Sequence, residues 1–509
     1  VKECRYPTEI KQKRQILLVV LLLLILLCSR GVFQAYSYWH DELFSIGAAN
    51  ASSWHVLFKE WILPDTHPPL HLTLLRLWVG MFGSGEIPTR FLSLIPAWLS
   101  LIAIAWTTQN GGFARQSIAI LFLGTSPLFS LYAQEVRPYS WTLLFSTVSV
   151  GVMTILWRSQ QQGPSVHLPR VNALRLCFIF SLLLLSLSHY FGLFYALTLL
   201  VLDVLRGAPC LGRRRWGLAL LSALLAWPLL HVLVGGAGGG RTSWIVSQPV
   251  IGVFSTAMNG AFPAFPVALV VIVLAMLISA VGSQRRSRDK DRGLQLRDVV
   301  RGSSEACWLL SGAAAFLGLI SLIDLVKPLA VERYFIVLLP CFALALGDVG
   351  QRLIASGSPY VRRATVCVLA IIIGMHFWHS QEVLSAKIYP LQNYKHLARF
   401  IGETGVCRQG CTSVSAKKHR LVPYFDSIPL QRVDPEGVDG FAAVMLPFVG
   451  LHGDQELIQP LLAAHSGASC WEPRQFTALS TFIVMPEGSH VRPQSFGLRQ
   501  CVQSKHRNE

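Results

Sequence analysis

Charge is scarce in this sequence. Only 14% of the 509 residues are Asp, Glu, Lys or Arg, while 52% are hydrophobic and the mean hydropathy is +0.47. A soluble core of ordinary proportions cannot hide that much apolar surface, so a soluble globular protein is excluded and a polytopic α-helical membrane protein is expected. Acids are the scarcer charge, 27 against 44 Lys and Arg, for a net charge of +17. The basic residues sit in short loops between apolar runs, as orientation signals do, so no nucleic-acid partner is expected. Internal repeats, heptads and nucleotide-cradling loops are also missing. The glycine-rich run Gly235 to Gly240 lacks the Lys-Ser/Thr that would follow in a phosphate loop, and it reads as a flexible outer loop. Cys407 and Cys411 lack the second ligand pair of a structural zinc site, so neither a metal nor a cofactor is expected. No small-residue cleavage site follows the first apolar run, which therefore reads as an uncleaved span despite Lys11, Lys13 and Arg14 ahead of it.

What is present is a long series of apolar runs. Spans are expected at Gln15–Phe33, Arg90–Thr107, Arg115–Leu131, Tyr139–Trp157, Leu174–Ser188, Gly192–Leu205, Trp216–Val234, Phe265–Val281, Cys307–Leu325, Phe335–Leu346 and Ala364–Trp378, about eleven in all. Pro69–Phe82 is apolar but short, and reads as an interfacial helix. With that helix lying flat, the basic loops Arg158–Arg175, Arg206–Arg215, Gln284–Arg301 and Gln351–Arg363 share the side of the basic N-terminus, as the positive-inside rule requires. If it spanned, every later loop would change sides. The chain then divides into a transmembrane module, residues 1–378, with a first outer loop at 39–89, and an extracytoplasmic α/β domain at 379–509. Strands are expected at Cys411–Ala416, Ile428–Val433, Phe441–Pro447 and Thr481–Met485, and helices at Leu391–Glu403 and Gln455–His465. On an oxidising outer face Cys407, Cys411, Cys470 and Cys501 suggest disulfides, with three possible pairings.

The same parity gathers the polar residues of the loops on the outer face. Asp41 and Glu42 directly follow the first span, and an ionised carboxylate beside hydrocarbon is costly unless solvated, paired or used. Asp65 and His67 precede the stiff doublet Pro68-Pro69, where each proline restricts the residue before it and Pro69 is placed to open a helix. The turn Tyr132–Trp141 (YAQEVRPYSW) brings Gln134, Glu135 and Arg137, the corner Ser188-His189-Tyr190 brings an imidazole and a phenol, and Glu332-Arg333-Tyr334 opens a late span. Arginine offers phosphate a planar fork and a permanent charge. Either arginine alone also suits a snorkelling anchor or an internal ion pair. Two arginines, a histidine and two acids on one face together resemble a site for a lipid-linked phosphate.

These pieces, in order, resemble the GT-C membrane glycosyltransferases, in particular the bacterial family 39 branch related to protein O-mannosyltransferases. The matching stretches are WHDELFSI (Trp39–Ile46), DTHPPLHLTLLRLWVGMFGSGE (Asp65–Glu86), RFLSL (Arg90–Leu94), SPLFSLYAQEVRPYSW (Ser126–Trp141), LSHYFGLF (Leu187–Phe194) and ERYFIVLLP (Glu332–Pro340). The resemblance implies a bacterial inner-membrane enzyme that moves a sugar from a polyprenyl-phosphate donor to an acceptor hydroxyl on the outer face. It implies Asp41 as the catalytic base with Glu42 its neighbour, and Arg137 and Arg333 as candidates for the donor phosphate. His67, Gln134, Glu135, His189, Tyr190 and Tyr334 complete the expected substrate site. The acceptor, whether protein, lipid or glycan, is not implied, and membrane lipids are the other expected partner. The competing class is a transporter or flippase of lipid-linked substrates, which calls for polar residues near the middle of the spans and paired broken helices; here the spans are mostly clean.

Overall fold

The computed structural model describes residues 5–161, 168–207, 210–213, 215–234, 245–263, 304–355 and 358–388, together with Lys395 and six short strands between 411 and 500. The chain forms two compact units, Val1–Phe33 with Ser52–Ser385, and Gln34–Ala51 with Ala386–Glu509.

The first unit is helical: α1 (Arg5–Ser29), α3 (Trp54–Val56), a π-turn at Leu57–Ile62, α4 (Leu70–Phe82), α5 (Glu86–Thr108), α6 (Phe113–Thr125), α7 (Pro127–Tyr132), α8 (Tyr139–Gln161), α9 (Leu168–Ser188), α10 (Tyr190–Leu205), α11 (Arg215–Leu233), α12 (Val250–Ala261), α13 (Ser304–Asp324), a 3₁₀ segment at Glu332–Leu338 continued by α14 (Leu339–Ile354), and α15 (Pro359–Ile388). The helix α2 (His40–Ala49) belongs to the second unit. Eight of the described helices are long and apolar enough to cross a membrane, and they coincide with eight of the expected spans. The expected span Phe265–Val281 lies outside the described residues, as do the loops at Gly235–Gly240 and Gln284–Arg301.

One expected span needs correction. Arg115–Leu131 is not one helix: α6 stops at Thr125, and Pro127 opens α7 at its first turn. Proline forces the preceding residue out of the helical region, and Ser126 is extended at φ −61° and ψ 133°. The expected stretch Gly192–Leu205 lies within the 16-residue α10, which His189 caps from an extended conformation. Pro69, expected as the first helical residue, is instead the cap of the 13-residue α4.

The core lies around α8, which packs against α5 and α9. Its hydroxyls are buried, so each needs a partner that water cannot supply. Ser146 donates to the Val337 carbonyl at 2.6 Å, Ser149 to Ser181 at 2.8 Å, and Thr142 lies 3.0 Å from the Ser188 hydroxyl. These bonds fix α8 in rotation against α9 and the Glu332–Leu338 segment.

Where α8 ends, charge is paired internally. Arg158 grips Glu305 through Nε at 2.6 Å and Nη2 at 2.7 Å, Arg115 binds the same carboxylate, and Asp348 pairs with Arg352 at 3.2 Å and Arg115 at 3.6 Å. Glu305 thus joins α6, α8 and α13, and its side chain is 13% exposed. Removing it leaves two guanidinium groups facing each other in a largely dry site, so Glu305→Ala is expected to destabilise the protein by about 3 kcal/mol. Thermal unfolding in detergent checks this, and an unchanged midpoint means the cluster is solvated.

The second unit holds a six-stranded sheet in the order β2-β1-β3-β5-β4-β6, built from β1 (Cys411–Ser413), β2 (Leu430–Arg432), β3 (Ala443–Met445), β4 (Ser469–Pro473), β5 (Phe482–Met485) and β6 (Leu498–Gln500). β1 runs parallel to β2 and β3, and the remaining pairs are antiparallel. Four strands fall within the runs read from the sequence. Apart from Lys395, the expected helices Leu391–Glu403 and Gln455–His465 lie outside the described residues, and so do Cys407 and Cys501. Lys395 ties the unit's two segments, its amide donating to the Ser37 hydroxyl at 3.2 Å and its ammonium to the Ala35 carbonyl at 3.0 Å.

Candidate active site

Three helix starts deliver the side chains of one site in the first unit. Arg137 stands just before α8, His189 caps α10, and Arg333 and Tyr334 lie in the 3₁₀ turn that leads into α14. Helix N-termini carry partial positive charge, so a cluster of them suits an anion before any arginine is counted.

The turn that carries Arg137 is braced from several sides. Ser93 donates to the Glu135 carbonyl, Ser140 to the Tyr132 carbonyl at 2.7 Å, and the Gln134 amide to the Ser130 carbonyl at 3.3 Å. Gln134 is fully buried against Gly31, where a Cβ would come within 2.1 Å of its Oε1, so any larger residue at 31 would have to displace the Gln134 side chain. Glu135 and Arg137 are also buried.

The Pro68-Pro69 loop meets this turn. Arg137 Nη2 lies 3.4 Å from His67 Nε2, and His67 Nδ1 lies 3.4 Å from Asp65 Oδ1. A guanidinium can only donate, so Nε2 accepts and Nδ1 carries the proton toward Asp65. Asp65 also accepts the Thr66 amide at 2.7 Å. Burial pushes the Asp65 carboxyl up, but His67 and then Arg137 outweigh it and hold the group below the usual carboxylate range. The result is an acid, an imidazole and a guanidinium in line, spanning residues 65 to 137.

Aromatic rings wall the chain. His189 meets His67 edge-on at 5.1 Å and Tyr334 at 4.7 Å, while Tyr139 and Tyr334 stack at 6.2 Å. Arg137 sits over Tyr139 and Arg333 over Tyr334. Sequence reading passed over Tyr139, although Pro138 directly before it marks a helix start and so a fixed side-chain direction. It also passed over Asp65 as a site group and over His71. Among the described residues no group of His, Cys, Asp and Glu could hold a metal ion.

His71 and His189 are buried. Burial, followed by the charge of Arg137, pushes His71 down to about 3, and burial followed by the neighbouring His67, Arg137 and Arg333 holds His189 well below its ordinary value. Both are therefore neutral in the folded state, whereas the unfolded chain takes up their protons below about pH 6.5. The unfolded state then binds more protons, so stability falls as pH falls from about 6.5 toward 3, by up to about 1.4 kcal/mol per pH unit for His71. Thermal midpoints between pH 5 and 7 should show that slope, and His71→Leu should flatten it. An equal slope in the variant places the titration elsewhere.

Asp41 and Glu42 lie in the second unit, on the first turn of α2, where acids complement the helix dipole. Glu42 is fully buried and its Oε2 accepts the Trp39 amide at 3.3 Å, the bond a capping residue makes. Asp41 is half-buried, with Ser45 donating to its carbonyl at 3.2 Å. The structure thus joins His67, Arg137, His189, Tyr334 and Arg333 in one unit and gives the acid pair to the other.

Fold and site together define a multi-pass helical membrane protein that collects cations and imidazoles where several helices begin. No protein-family model matches the sequence, and no curated protein matches it. Among solved structures the chain is similar to ArnT from Cupriavidus metallidurans in the apo state, with a TM-score of 0.59 and 12% identity over 92% of this chain and 97% of that one. It is similar also to the same protein bound to undecaprenyl phosphate, at a TM-score of 0.56 and 13% identity with the same coverage. The likeness carries the GT-C fold and not the family 39 branch.

Proposed function

We propose that the protein is an integral-membrane glycosyltransferase of the family 39 type that moves a sugar from a polyprenyl-phosphate donor to an acceptor hydroxyl outside the inner membrane. The observation that carries this reading is the buried line from Asp65 through His67 to Arg137, set among helix N-termini and beside Arg333: it concentrates donors for an anion next to apolar spans. Support comes also from the solved neighbour that binds undecaprenyl phosphate. In this mechanism Asp41 accepts the proton of the acceptor hydroxyl as its oxygen attacks the anomeric carbon. The bond to the phosphate oxygen breaks, and polyprenyl phosphate leaves with the electron pair from the opposite face, which inverts the anomeric centre. Arg137 and Arg333 stabilise the charge that builds on the leaving phosphate. Asp65 holds His67 in one tautomer, so Nε2 of His67 accepts from Arg137 and orients that guanidinium toward the phosphate. The tail after Trp378 and the acid pair lie on the outer face of the membrane in this reading.

The test is direct. The purified protein in lipid nanodiscs is given a panel of polyprenyl-phosphate sugars, and release of polyprenyl phosphate is measured with and without candidate acceptors. Transfer from one donor class supports the reading. Binding of the intact lipid-linked sugar with movement across the bilayer and no bond cleavage identifies a flippase instead.

A further inference from the structure

His231 stands near the end of α11, away from every motif of the sequence, and is almost fully buried. Both of its ring nitrogens are engaged. Nε2 lies 2.8 Å from the Leu63 carbonyl, and Nδ1 meets the Tyr190 hydroxyl. A carbonyl only accepts, so Nε2 carries the proton and Nδ1 receives one from Tyr190. The Tyr190 ring lies parallel to the imidazole within 3°, with centroids 6.1 Å apart, and Trp227 stacks on it at 5.6 Å from one helical turn earlier.

The two partners are what make this arrangement informative. Leu63 lies two residues before Asp65, at the start of the loop that carries His67. Tyr190 follows His189, whose ring meets His67 at 5.1 Å. His189 is itself fixed, since its Nδ1 accepts the Phe191 amide at 3.0 Å. One imidazole on a third helix therefore ties the loop that carries His67 to the corner that carries His189. We propose that His231 is a positioning residue for the phosphate-binding Arg137, acting through His67, whose place it sets by holding the Leu63 carbonyl against Tyr190. This rests on the functional reading above and extends it to a residue that touches no substrate.

The two bonds can be cut separately, because a Gln amide nitrogen reaches the place of Nε2 and an Asn amide the place of Nδ1. The probe is undecaprenyl phosphate, and the readout is its equilibrium affinity for the full-length protein in detergent, alongside the thermal midpoint. His231→Asn, which loses the Leu63 bond, should bind about tenfold more weakly, about 1.4 kcal/mol. His231→Gln, which keeps that bond, should recover to within about threefold of the parent. In a His67→Ala background His231→Asn should add nothing, because residues acting through one group are non-additive. Tyr190→Phe, which frees the ring without removing it, provides a second cycle should His231→Asn fail to fold. It should weaken binding in the parent and have no further effect on His67→Ala. Equal affinity in His231→Asn and the parent, or full additivity with His67→Ala, overturns the assignment and leaves the functional reading standing. A parent protein that does not bind the probe at all overturns both.

Discussion

Asp41→Asn is expected to abolish transfer, by a factor of about 10² to 10⁴, while expression, membrane insertion and affinity for the lipid donor stay at parent levels. The substitution keeps size and shape and removes only the ability to take a proton. Asn is also tolerated in the first turn of a helix, so α2 should survive it. The comparison with Glu42 sharpens the result. Glu42 is buried and spends Oε2 on the Trp39 amide, a bond that a Gln oxygen can also accept, so Glu42→Gln should keep the helix start and change turnover little. Measured single-turnover rates for both variants decide between the two acids. Near-normal transfer by Asp41→Asn would falsify its role as the base and return the search to groups of the first unit, beginning with Asp65.

Replacing Arg137 should have the second largest effect, and it should be seen in two ways. Arg137→Ala is expected to weaken binding of a polyprenyl-phosphate sugar and to slow the chemistry together, because the phosphate charge grows as the leaving group departs. A combined loss of about 10² to 10³ in kcat/KM is the expected scale for one donor to a developing anion. Arg137→Lys should recover only part of it, since a point charge cannot reproduce the fork. The second sign needs no substrate. Arg137 pushes the His71 proton off and helps hold the Asp65 carboxyl down. In Arg137→Ala the His71 imidazole should therefore titrate at higher pH and Asp65 should protonate more readily, both readable by NMR of labelled protein. Parent-like affinity and rate in Arg137→Ala and Arg333→Ala alike make both arginines membrane anchors.

Much of the fold was legible without coordinates, because it depends on neighbouring residues. Hydropathy over a window places α5, α8, α9, α11, α13 and α15 at the expected stretches, and the length of α4 alone argues against a span. Two of the helix starts around the site are backbone facts as well: Pro138 and the Pro68-Pro69 doublet each sit at a boundary that proline chemistry predicts. Ser126-Pro127 carried the same signal. It was read through as one span because hydropathy does not drop there, and the structure breaks the helix where the proline says it must.

What tertiary structure decided is which of these local pieces meet. His67 and Arg137 are 70 residues apart in sequence, and His231 is 168 residues from the carbonyl it holds. Nothing in the periodicity of either segment encodes those pairs, since they follow from how α8, α10 and α11 are rotated and packed. That rotation is set by buried hydroxyls such as Ser146 and Ser149 finding partners on other helices. The local setting of Glu42 was equally hidden. Two adjacent acids look alike in a sequence, and only the geometry of the first turn of α2 shows Glu42 holding the Trp39 amide. Solvent partition is a property of each residue and can be summed along a chain. A hydrogen bond between distant side chains exists only once the helices that carry them have been placed.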